Sequence, residues 1–183
     1  MSKISVARPG RVNTISPLRI LIMVLAFFVV LFIYLAPGPI PRERSVQIVC
    51  MVHLKSMAVS FILYSDDFDG SLPSVESWCD ALGKYMLPEN LICPGSDAKE
   101  GQSSYAMNKY LDVRKLAELP PDLVLLFESE PGWNKAGGPE ILTMENHEGK
   151  GCSILFADGN VKFIGTDKIS ELKWVVSESN SNE

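Results

Sequence analysis

The sequence predicts an α+β fold behind one membrane-spanning helix. Three observations predict it: an uncharged apolar run over residues 20–36, apolar residues at helical spacing over 42–64, and a strand–turn–strand pattern over 152–164. With 183 residues, 46% of them hydrophobic, the chain has material for one modest domain beside an anchor.

The apolar run, ILIMVLAFFVVLFIYLA, holds no charge. As a helix it spans about 26 Å, close to a hydrocarbon core of roughly 30 Å. Leu18 and a snorkelling Arg19 extend it, so the span is expected at 18–36. Lys3, Arg8, Arg11 and Arg19 precede it with no acidic residue among them, whereas all 22 acidic residues follow it, against 13 basic ones. Positive charge before the span predicts a cytoplasmic basic tail at 1–17 and a domain outside, a single-pass inner-membrane protein with a periplasmic domain. A strongly acidic domain is a poor match for phosphate backbones, which excludes nucleic acid as a partner. The run ends in Ala36-Pro37, and proline after a candidate site disfavours signal cleavage, so the anchor is expected to remain attached.

Pro37, Pro39 and Pro41 make a break at 37–41, because each removes a donor and clashes with the preceding turn. A domain at 42–176 and a polar tail at 177–183 follow. Its first helix is expected at 42–64, with Val46, Val49, Cys50, His53, Leu54, Met57, Phe61 and Tyr64 on the core face. Val52, Val59, Ile62 and Leu63 make the opposite face apolar too, and a helix apolar on two sides needs a second partner. A short helix is expected at 74–86 with Ser74 as N-cap. The stretch to Ser104 reads as irregular, a strand is expected at 122–128, another at 140–144, and a last helix at 167–176. Asp158-Gly159 between the strands at 152–157 and 160–164 suits a two-residue type I′ turn. On that register Ile154, Phe156, Val161 and Phe163 would cover the long helix, and Lys162 would face solvent.

Two constellations invite chemistry. Residues 65–76 fit the spacing of a calcium loop, with Asp67, Asp69 and Glu76 at ligand positions and Gly70 at the sixth. Ser65 is a weak first ligand and Pro73 stands where a water-bridging group is usual, so a solvated helix-ending turn is favoured over Ca2+. His147 precedes the hairpin, but no His-x-x-x-His, Cys-x-x-Cys or Gly-x-Ser-x-Gly accompanies it. It is expected to fix a loop rather than catalyse, and no enzymatic site is expected. Cys50, Cys79, Cys93 and Cys152 permit disulfides in three pairings, with no choice among them from spacing.

Four stretches, in order, resemble a family of pilin-like, prepilin-type proteins of planctomycete-type bacteria, marked by a histidine, nine residues and Asp-Gly. They are Cys50-Met-Val-His-Leu-Lys55 followed by Tyr64-Ser-Asp-Asp-Phe-Asp-Gly70-Ser-Leu-Pro73, then Trp78 through Cys93-Pro94, then Ser104-Tyr-Ala-Met-Asn108, then Asn146-His147 through Asp158-Gly159-Asn-Val-Lys162. The resemblance implies a long helix packed on a small antiparallel sheet. It also implies a non-catalytic structural or assembly role in a type II secretion or type IV pilus-like system, with pilin-like subunits as partners. It makes His147, Asp158 and Gly159 the motif residues and suggests Cys50–Cys93 as a disulfide. A membrane-tethered binding module, holding calcium or a soluble partner, is the alternative. The chain departs from the family twice. Ten residues separate His147 from Asp158, and Gly10 is followed by Arg11-Val12-Asn13 with no acidic residue before Glu43, so the prepilin-peptidase signature is missing. The departures suggest a membrane-fixed relative.

Overall fold

The computed structural model describes residues 16–35 and 42–176. The chain divides into two compact units, residues 1–39 and 40–183. The proline break, Ala36 and both tails, save Ser16 and Pro17, lie outside the described residues. In the first unit, α1 (Pro17–Leu35) buries no residue and is long and apolar enough to cross a membrane. Such a helix near the N-terminus suits an anchor or a signal sequence.

In the second unit, α2 (Arg42–Asp67) lies on a five-stranded sheet of β1 (Ser103–Asn108), β2 (Val124–Gly132), β3 (Ala136–Gly137), β4 (Gly151–Phe156) and β5 (Val161–Gly165). The order is β3-β1-β2-β4-β5. The sheet is mixed rather than antiparallel: β3 pairs parallel with β1, the remaining neighbours antiparallel. Helix α2 also passes the length and composition test for a membrane span. Its Cys50, Leu54, Met57, Ala58 and Phe61, however, form the core with Tyr105, Met107, Leu125, Leu126 and Leu155. Val49, expected on that face, is 38% exposed.

The hairpin corrects an expectation. Leu155 pairs with Val161 and Ile154 with Lys162, and Phe156 N–H donates to Asn160 O (2.9 Å). Three residues, Ala157, Asp158 and Gly159, therefore form the loop, with Gly159 alone of these at positive φ (+77°). Such a turn with a left-handed glycine replaces the two-residue type I′ turn. One extra loop residue slips the register, and a slip by one turns a strand over. Ile154 and Phe156 consequently face away from α2, where Lys162 lies over the Phe156 ring (5.5 Å), while Leu155 and Val161 pack on the helix side.

The outer face is not bare. Ala106, Val124, Phe127, Cys152, Ile154 and Phe156 form a second cluster, closed by Ile141, Leu142, Met144, Ile169, Leu172 and Trp174. A bulge in β2 between Val124 and Leu126 directs both Leu125 and Leu126 toward α2. This second layer explains the other differences. The 140–144 segment is a 3₁₀ turn at Pro139–Ile141 followed by a single antiparallel bridge from Leu142 to Ser129. Thr166–Glu171 is likewise 3₁₀; beyond it the chain runs extended, with Lys173 O accepting from Val124 N (2.9 Å). The helix expected at 74–86 shrinks to α3 (Trp78–Leu82). Ser74 Oγ accepts from Glu76 N–H (3.4 Å), as the expected N-cap would, but Val75 N–H donates to the Asp112 carboxylate (2.9 Å) and the helix begins only at Trp78.

Candidate functional site

Strand alternation carries Leu126 and Glu128 to the same side of β2, so Glu128 points into the core beneath α2. It pairs across the sheet with Tyr105 and is wholly buried. His147 ends the 3₁₀ turn Glu145–His147 and enters the same space. Its Nε2 is hydrogen-bonded to Glu128 Oε1 (2.9 Å) and its ring meets Phe163 edge-on (5.3 Å). Both side chains have zero exposure.

The disulfide closes the cluster. Cys50 on α2 is bonded to Cys93 (Cα–Cα 5.0 Å), and Cys93 Sγ lies 3.9 Å from His147 Nε2. One ligand-type atom from each of Cys50, Cys93, Glu128 and His147 falls within 4.8 Å of the others. Burial pushes the Glu128 carboxyl up, opposed by His147 and more weakly by Ser153. Among the described residues, Glu128 Oε2, His147 Nδ1 and Ser153 Oγ make no hydrogen bond of normal geometry. A buried carboxylate with one oxygen unpaired is unusual, because desolvation is then not repaid.

The other cysteines stand apart. Cys79 and Cys152 are free and buried, and burial pushes both thiols up to about 12, which suits inert packing.

The remaining motif residues do not join this cluster. Asp158 and Gly159 occupy the hairpin turn, where Asp158 Oδ1 accepts from Asn160 N (2.8 Å) and Gly159 O accepts from Lys55 Nζ (2.7 Å). With Phe61, Ile62 and Leu119 they line a cavity of about 490 Å3. In the acidic turn, Asp67 ends α2 and accepts from Tyr85 Oη (2.6 Å) and Lys84 Nζ (3.3 Å); these two bonds hold its carboxyl below the usual value. Asp69 sits at positive φ (+53°) with its carbonyl accepting from Lys115. Asp67, Asp69 and Glu76 are not among the residues whose ligand atoms converge. His53 Nδ1 contacts Ile92 O (2.8 Å).

Glu128 is the residue that sequence reasoning misses. Its signal was present: an acid closing an apolar strand, two places after the core-facing Leu126. No family model matches the chain, and neither the curated proteins nor the solved structures include a significant match.

Proposed function

We propose that this is a non-catalytic, membrane-anchored pilin-like protein with a structural or assembly role in a type II secretion or type IV pilus-like system. The observation that carries this reading is the second face of α2. Ile48, Val52, Val59 and Ile62 are 47%, 59%, 51% and 48% exposed and recur at helical spacing along one stripe, interrupted by Lys55, whose Nζ reaches to Gly159 O (2.7 Å). A helix that lies on its own sheet and meets only water would place polar residues there. Apolar residues at these positions suit close packing with another helix, because their ridges fit a neighbour's grooves. The occupant is another pilin-like subunit, the same chain included.

Two further features support the reading. The apolar α1 would hold neighbouring chains in one plane, raising their effective concentration for side-by-side packing. Lys3, Arg8, Arg11 and Arg19 ahead of it would orient the tail to the cytoplasm and the domain to the periplasm. The Cys50–Cys93 disulfide is consistent with that oxidising compartment.

The test is Val59→Cys in the full chain, expressed in its native membranes and treated with a short bismaleimide. Cross-linked species composed of this chain or of pilin-like subunits, identified by mass spectrometry, are expected. Labelling by an impermeant maleimide in spheroplasts without lysis is expected as well. A strictly monomeric product, or capture of a soluble ligand alone, would overturn the assembly role; labelling only after lysis would reverse the orientation.

A further inference from the structure

The buried cluster beneath α2 has the composition of a metal site whose two sulfurs are joined. We infer that it is a redox-gated metal site. With the Cys50–Cys93 disulfide reduced, the two sulfurs, His147 Nε2 and a Glu128 oxygen bind one Zn2+-class cation.

Three features carry this. First, the donor set is two sulfurs, an imidazole and a carboxylate, the mixture that tetrahedral zinc takes. The donors come from four separated parts of the chain, yet lie within 4.8 Å of one another. Zinc bonds of about 2.0–2.3 Å place tetrahedral ligand atoms roughly 3.3–3.8 Å apart, so only small side-chain movements are needed. Second, Glu128 Oε2 is buried and makes no hydrogen bond of normal geometry, with Ser153 close by, and is an acceptor that a cation would satisfy. Third, two thiolates and a carboxylate around Zn2+ leave a net charge of −1, the same as a Cys3His site. The oxidised pair cannot serve, because disulfide sulfurs are neutral and already bonded to each other.

The chemistry balances with a dithiol as reductant. The dithiol gives two electrons and two protons, the Cys50–Cys93 bond breaks, and the dithiol becomes a cyclic disulfide. Zn2+ then displaces the two thiol protons to solvent. His147 binds the metal through an unprotonated Nε2, with the single ring proton of the neutral imidazole on Nδ1. Disulfide and metal are thus mutually exclusive.

The experiment uses the full chain in detergent, either oxidised or reduced with dithiothreitol and desalted without oxygen. Each sample is titrated with ZnCl2 against a chromophoric chelator, and with CoCl2 as a spectroscopic probe. Expected are one zinc per reduced chain, thiolate-to-cobalt charge-transfer absorption, a native near-ultraviolet dichroism spectrum, and slowed re-formation of the disulfide when zinc is bound. His147→Gln should weaken zinc binding at least about tenfold, whereas a Cys79→Ala/Cys152→Ala chain should bind as the parent does. Equal binding by the oxidised chain, no binding by the reduced chain, or binding only with loss of the native dichroism would overturn the inference. So would loss of binding in the Cys79/Cys152 variant. None of these outcomes depends on whether the chain assembles.

Discussion

The two faces of α2 are built from the same kinds of side chain and meet opposite fates. Leu54, Met57 and Phe61 are at most 1% exposed, whereas Val52, Val59 and Ile62, one or two positions away, are about half exposed. Nothing in their hydrophobicity separates them. What separates them is the sheet, whose Tyr105, Met107, Leu126 and Leu155 close one side only. The lesson is that apolar character alone does not distinguish a buried face from an exposed one; the placement of the sheet does.

The largest expected effect attacks the closed face. Phe61→Ala should cost about 3–5 kcal/mol, because a buried aromatic leaves a cavity that a packed core fills poorly. Equilibrium denaturation of the full chain in detergent would measure it, and a loss below about 1 kcal/mol would mean that α2 is not seated on the sheet.

The outer layer should be nearly as sensitive. Phe156→Ala is expected to cost about 3 kcal/mol, the low end for a buried aromatic, since its ring is 8% exposed. It acts through the Phe127–Trp174 cluster rather than through α2. Near-ultraviolet dichroism of Trp174 should therefore change with Phe156→Ala, while Lys162→Ala leaves both signal and stability almost unaltered.

A smaller loss is expected at the turn. Gly159→Val should cost about 1–2 kcal/mol, because a β-branched residue resists the left-handed conformation. Its strain is purely conformational, as a Cβ there meets no atom within 4 Å. Gly159→Asn, which tolerates positive φ, should recover most of the loss in the same melts.

The pH response sharpens the comparison between apolar and polar parts of the closed side. Burial raises the Glu128 carboxyl above its ordinary value of 4.5. The folded chain then holds this proton more tightly than the unfolded chain, so the contribution is fully present below that value. It is lost as pH rises through the folded pKa. Melts from pH 4 upward should show a declining slope that Glu128→Gln removes; an unchanged slope would mean that Glu128 ionises freely.

How far the sequence reveals all this follows from which forces act locally. Helix α2 is legible because Cys50, Leu54, Met57 and Phe61 repeat at helical spacing. The β4–β5 hairpin is legible in its existence but not its register, because one residue more or less in the loop at Asp158-Gly159 is decided by tertiary packing. Strand β1 is hidden: Ser103, Ser104 and Asn108 are buried polar residues that break any apolar alternation. The partners of the Asn108 amide nitrogen lie far along the chain: Nδ2 donates to Val124 O and Trp174 O, both at 2.8 Å. The Glu128–His147 pair is hidden for the same reason, since neither residue marks its depth without the other.

The most direct measurement of the central claim compares adjacent residues on α2 that face opposite ways. Phe61 is 1% exposed and Ile62 48%. Sedimentation velocity and thermal melting of full-length Ile62→Ser in detergent, beside the parent chain and Phe61→Ala, read association and stability together. The account predicts that Ile62→Ser melts with the parent but no longer associates, while Phe61→Ala loses stability. An Ile62→Ser chain that melts as early as Phe61→Ala, or associates as strongly as the parent, would contradict it.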